Sequence, residues 1–189
     1  MSQDHLIGLD VVASTEVSKP TLWTFTNFSE SWYQDAVREA AGTDEHATRL
    51  EIVFSACFLE SYIFEWVRGF GIEYVNNYFP PGNYRSLKVK WKEVPTELFN
   101  DGLISTKPDL VSSPWWYQFC ELVEYRNGLV HARASRPSTG NLPENARPVP
   151  DTSILRDSNK HGWAISVAAW FVKKLHQDIG TPCPIYIRK

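Results

Sequence analysis

The sequence predicts an all-α protein, an up-and-down antiparallel helical bundle of four or five main helices. Three observations predict it. Apolar residues recur at helical spacing over long stretches, helix-start residues stand before those stretches, and β-branched runs are few and short. At 189 residues, with 43% apolar and 22% charged side chains, the chain suits one globular domain. A chain of this length hides roughly 70% of its unfolded surface. A net charge of -3 with this apolar content excludes disorder as the main state. The lack of any fixed period excludes collagen, coiled-coil and repeat arrays. The longest uncharged apolar run, Trp163 to Val172, falls far short of the ~20 residues a bilayer requires, so no membrane span is expected.

The elements follow in order. Residues 1–26 show no helical period and read as a loosely docked arm around Pro20. Asn27 or Ser29 can cap a first helix to about Ala41, with Trp32, Tyr33, Ala36, Val37 and Ala40 at helical spacing and Gly42 as its stop. Thr43 or Asp44 can cap a second, reaching about Phe70. That helix is apolar nearly all round, which places it centrally in a bundle. Residues 71–83 begin as helix and break at Pro80-Pro81-Gly82. The basic segment from Tyr84 predicts a short helix ending before Pro95, with another short one around Glu97 to Phe99 and a loop from Asp101 to Ser113. Ser112 or Ser113 ahead of Pro114 starts a helix from Trp115 to about Ser135. Residues 136–160 contain four prolines and read as a long surface loop. His161 to about Ile179 is the last helix. The domain is thus 27–180, and residues 181–189 are a short extended tail.

The helix from Trp115 carries the chemistry. One apolar stripe runs Trp115, Phe119, Leu122, Arg126, Leu129, and a neighbouring one Trp116, Cys120, Val123, Asn127, Val130. Arg126 and Asn127 interrupt both stripes where the period calls for apolar residues. A guanidinium there is costly unless it is paired or open to a cleft. Asn127 and His131 are four apart and share a face. Arg126 lies roughly 140° around the axis from His131 but is long enough to reach across. Gly128, costly by about 1 kcal/mol in a helix interior, suggests close approach of another backbone, from a neighbouring helix or a second subunit. On the second helix Glu60 interrupts the stripe Val53, Cys57, Phe64, Val67 and is the natural partner of Arg126.

Arg126, Asn127 and His131 together can handle a phosphate. Arginine grips it through forked hydrogen bonds, histidine exchanges a proton at neutral pH, and asparagine orients either group. No metal and no cofactor is called for. Tyr125 to His161 holds six Lys/Arg (Arg126, Arg133, Arg136, Arg147, Arg156, Lys160) against three acids, and Arg85, Lys88, Lys90 and Lys92 add four cations. Interleaved with Tyr84, Trp91, Trp115 and Trp116, such a surface can hold single-stranded nucleic acid by charge and stacking. Arg133, Arg136, Lys88 and Lys90 are the candidate RNA or phosphate contacts. The structural alternative is a network in which Arg126 merely pairs with Glu60 and His131 is hydrogen-bonded inside the bundle.

Arg126-Asn127-Gly128-Leu129-Val130-His131 resembles the R-N-x-x-x-H motif of HEPN domains. The run SACFLESYIFEW resembles their second helix and LKVKWKEVP the segment between, so the similarity covers roughly Thr43 to Ile179. The resemblance implies a helical bundle that dimerises with two motifs facing each other. It implies a metal-independent endoribonuclease of the toxin–antitoxin or phage-defence type, with RNA as substrate and an antitoxin protein as a partner. Arg126 and His131 would then be catalytic, Asn127 supporting, and Glu60 the acidic residue of an earlier helix. Attack by the RNA 2′-hydroxyl would leave a 2′,3′-cyclic phosphate. The alternative in the same family is a non-catalytic nucleotide-binding, dimerisation or protein-interaction module.

Other chemistries find no footing. His5, His46, His161 and His176 lack metal-ligand spacing. Gly69-Phe70-Gly71 is not a dinucleotide fingerprint, and no P-loop, G-x-S-x-G or H-E-x-x-H occurs. Three widely spaced cysteines with no C-x-x-C read as reduced thiols. The first residues lack a basic stretch leading into an apolar one, so the cytoplasm is the expected location.

Overall fold

The structure, a computed structural model, describes residues 28–130 and 160–188. Among them lie seven helices and no strand: α1 Phe28–Ala40, α2 Glu45–Arg68, α3 Ile72–Tyr78, α4 Leu87–Asn100, α5 Trp115–Val130, α6 Trp163–Ile179 and α7 Ile185–Arg188. The protein is all-α, as the apolar spacing predicts, and α1, α2, α4, α5 and α6 are the main helices. The arm 1–26 and most of the loop 136–160 lie outside the described residues, as do His131, Arg133 and Arg136.

α2 is the axis of the bundle. Asp44 caps it, its side chain accepting from Ala47 N at 2.8 Å. α1 packs against it in the opposite direction, Ser29 meeting Glu65 while Tyr33 meets Phe58. α5 runs against α6 in the same way, with Trp115 stacked on Trp170 and Tyr125 edge-on to Trp163. α6 lies parallel to α2, with Ile165 beside Glu51 and His176 beside Tyr62. Trp91 of α4 sits where these helices meet. It is fully buried and makes ring contacts with Tyr62, Phe119 and Phe171, while its Nε1–H donates to Leu59 O at 3.2 Å.

Two sequence expectations are corrected. Pro95 does not end a helix: α4 continues through it to Asn100. Leu87, Trp91, Val94, Pro95 and Leu98 are all buried on one face, and that burial outweighs the ~3 kcal/mol penalty of an interior proline. The tail is not extended. Its α7 turn buries Ile187 completely, and Tyr186 packs on Tyr33 and shares a 3.0 Å hydrogen bond with Ser29 Oγ. Residues 181–188 therefore belong to the bundle.

Buried polar groups fasten the helices. Glu51, fully buried on α2, accepts from Gly162 N at 3.0 Å and Ile165 N at 3.1 Å, the unpaired amides at the start of α6. Burial pushes its carboxyl up, and those same amides pull it back. Glu65 performs the like service for α1, accepting from Ser29 N and Ser29 Oγ at 3.1 and 2.6 Å. His176 of α6 is bonded to the Tyr62 hydroxyl on one side and to Thr181 Oγ1, at 2.7 Å, on the other. Burial first, then the Arg188 charge, depress its pKa below 6.5.

Two predictions follow for stability. Glu51→Ala strands two amides at a buried helix start and should lower the unfolding free energy by about 3 kcal/mol in urea titration; an unchanged midpoint would remove Glu51 from this role. His176 is neutral when folded, whereas the unfolded chain protonates it near pH 6.5. Its contribution is complete above that pH and is lost as the pH falls toward the depressed folded value. The wild type should therefore melt lower at pH 5.5 than at pH 7 by a margin that shrinks in His176→Gln. Parallel slopes for the two proteins would contradict this.

Candidate functional site

The last turns of α5 deliver Arg126 and Asn127 to one side of the bundle, because Phe119, Leu122 and Val123 of the same helix are committed to the core. There the side chains border a cleft of ≈ 230 Å³ between α2, α4 and α5, shared with Glu60, Tyr84, Ser86 and Val123. The stripe argument thus holds for both polar interruptions. They are half-buried, and they open onto a crevice.

Glu60 stands between two cations from two helices. Lys90 Nζ donates to its Oε1 at 2.6 Å, and Arg126 Nη2 stands 3.8 Å from its Oε2. The expected Glu60–Arg126 pairing is present, but the tight partner is Lys90. Two positive groups against one carboxylate leave this triad with one net positive charge. Among the described residues, Arg126 donates its hydrogen bond to Asn127 Oδ1, at 3.1 Å from Nη1. That bond ties the guanidinium to the neighbouring side chain on the same helix. The Cys57 thiol lies close by. Burial pushes it up and Arg126 pulls it down, and the net shift is upward.

The remaining site candidates divide. Lys90 has a side chain only 14% exposed and borders Tyr84, with Nζ 5.3 Å over the ring. Lys88 points instead to Glu124 at 2.7 Å, and Arg85 is held by Glu97 at 2.7 Å. The basic run is thus largely answered by acids from its own and neighbouring helices. His131 follows Val130, the last residue of α5, directly in sequence. It lies outside the described residues, as do Arg133 and Arg136.

Of the four aromatics expected to interleave this basic surface, Trp91 is in the core and Trp115 and Trp116 are half-buried against it. Trp91 is fully buried, Trp115 stacks on Trp170 at 5.4 Å, and Trp116 packs on Phe119 at 5.1 Å. Their large apolar area is worth more in the bundle than at its surface. Tyr84 alone of the four is freely exposed, at 76%. The sequence reasoning missed the part played by Lys90 in the triad. It also passed over Glu51 and Glu65, although the signal that singled out Glu60, a carboxylate on an otherwise apolar helix, marks them equally.

A larger groove of ≈ 400 Å³ lies across α4, between Lys92–Glu97 and Lys107–Val111. Its charges are mixed in sign, two lysines against three acids, and Glu97 is engaged by Arg85. Among the described residues no group of three or more His, Cys, Asp or Glu side chains is placed to hold a metal ion. Cys57, Cys120 and Cys183 are free and half-buried. No helix among the described residues is long and apolar enough to cross a membrane.

The triad sets a measurable coupling. Glu60→Ala leaves the mostly buried Lys90 facing Arg126 unopposed and should cost about 2 kcal/mol, between the surface and buried limits for ion pairs. Adding Lys90→Met should recover part of that loss, as a double-mutant cycle in urea would read. Simple additivity of the two changes would sink the pairing. No protein-family model, curated protein or solved structure matches this chain.

Proposed function

We propose that the protein is a metal-independent endoribonuclease of the HEPN type, acting as a homodimer with a composite site between two copies of α5. The observation that carries this reading is Arg126, oriented by Asn127, at an open cleft where Lys90 already occupies the nearest carboxylate. A guanidinium whose contacts among the described residues are Asn127 and, at 3.8 Å, Glu60, and which borders a cleft, suits a phosphodiester. The R-N-x-x-x-H resemblance supplies the rest.

In this mechanism Arg126 binds the scissile phosphate and stabilises the charge that grows on it during displacement. The RNA 2′-hydroxyl attacks the neighbouring phosphorus, its proton passing to a general base. The bond to the 5′-oxygen breaks, and that oxygen takes a proton from a general acid. The products are a 2′,3′-cyclic phosphate and a 5′-hydroxyl. His131 fills one of the two proton-transfer roles, and the facing copy's histidine is available for the other. Lys90 and Glu60 tune the field around Arg126 without touching the reacting atoms. An endoribonuclease of this kind in the cytoplasm requires restraint, so an antitoxin protein is the natural partner.

The test is incubation of the purified protein with mixed RNA in EDTA. Wild type should cleave and leave cyclic-phosphate ends. Arg126→Ala and His131→Ala should each lose at least about 100-fold in rate while keeping the helical circular-dichroism spectrum. Undiminished cleavage by either variant refutes the assignment. Inert RNA combined with binding of a nucleotide points instead to the non-catalytic module.

A further inference from the structure

Tyr84 stands apart from the protein's other aromatic residues near the basic surface. It is 76% exposed, yet it borders the same cleft as Arg126 and Asn127. It is not loosely placed. Lys90 Nζ stands 5.3 Å over its ring and 5.8 Å from the Phe79 centroid, and that ammonium is itself fastened to Glu60 at 2.6 Å. A chain of contacts thus runs from a carboxylate on α2, through a lysine on α4, to a tyrosine at the lip of the cleft. With a cation over the ring and the residue 76% exposed, Tyr84 keeps accessible surface at the lip of the cleft.

The geometry points to Tyr84 as a stacking platform for one unpaired base of single-stranded RNA whose backbone phosphate meets Arg126. The proposal rests on the cleft being an RNA site and names the form of RNA it takes. An exposed π-face beside a net positive triad is the pairing by which proteins hold unpaired strands. Charge tracks the backbone, and the ring takes whichever base arrives. A base already stacked in a duplex offers no free face, so the device selects single strands. Because a purine overlaps the phenol ring over a larger area than a pyrimidine, the platform favours purines at that position.

The test uses short oligoadenylates made with 2′-O-methyl groups, which remove the attacking hydroxyl and separate binding from cleavage. Fluorescence anisotropy is read for wild type, Tyr84→Phe and Tyr84→Leu, whose exposed position leaves the fold intact by circular dichroism. Tyr84→Leu should bind about tenfold more weakly and Tyr84→Phe as well as wild type. An oligomer with abasic positions should erase the difference, and a blunt duplex should bind more weakly than the single strand. Equal binding by wild type and Tyr84→Leu overturns the proposal, and so does failure of wild type to bind the single strand. Cleavage of ordinary RNA, measured alongside, keeps the two ideas apart. Binding that depends on Tyr84 without cleavage ends the nuclease reading and leaves the platform standing. Cleavage with an unchanged KM in Tyr84→Leu does the reverse.

Discussion

The bundle is organised by carboxylates on one helix. α2 is apolar over most of its surface, yet it carries Glu51, Glu60 and Glu65 at points where other helices arrive. Glu51 answers two amides that open α6, Glu65 the amide and hydroxyl of Ser29 at the start of α1, and Glu60 the cations of α4 and α5. Interdigitated apolar side chains already favour one register along α2, and the carboxylates sharpen that preference. A carboxylate that must meet a particular amide or ammonium does not permit sliding. The helix dipoles add to the preference, since both opened ends present partial positive charge to an anion.

The cleft inherits its character from this arrangement. Glu60 holds Lys90 tightly and Arg126 at longer range, so the arginine remains near a negative group without being consumed by it. Asn127 fixes the guanidinium from the adjacent position on the same helix. The result is a positive group with a defined orientation at an opening, which differs in kind from the neighbouring surface. There Lys88 and Arg85 are answered by Glu124 and Glu97.

Much of this was written in the sequence, for reasons that can be named. The 3.6-residue spacing of apolar side chains fixed the main helices, and the same period exposed Arg126, Asn127 and Glu60 as intruders. The rest depends on contacts between distant segments. Pro95 reads locally as a helix stop, and only the burial of Val94, Pro95 and Leu98 together reverses that. Tyr186 looks like the end of a free tail until Ser29 and Tyr33, over 150 residues earlier, are seen to hold it, and the neighbouring Ile187 is fully buried. Nothing local distinguishes Lys90, which serves the triad, from Lys88, which pairs with an exposed glutamate. They differ by about 200° around α4, and the sequence does not say which side faces α2. Trp91 is ambiguous in sequence for the same reason. An indole beside lysines suits a nucleic-acid surface equally well until the helix is given its orientation.

Lys90 and Trp91 are consecutive residues, one paired with Glu60 of the cleft and the other filling the centre of the protein. Rotating α4 by a single position would carry the ammonium into the aromatic core and push the indole into water, at a penalty on both counts. Whatever holds the interior in place therefore also aims the charge at the opening. Chemistry and folding are locked to one another at that pair, so the cleft's charge can be redirected only at the expense of the interior.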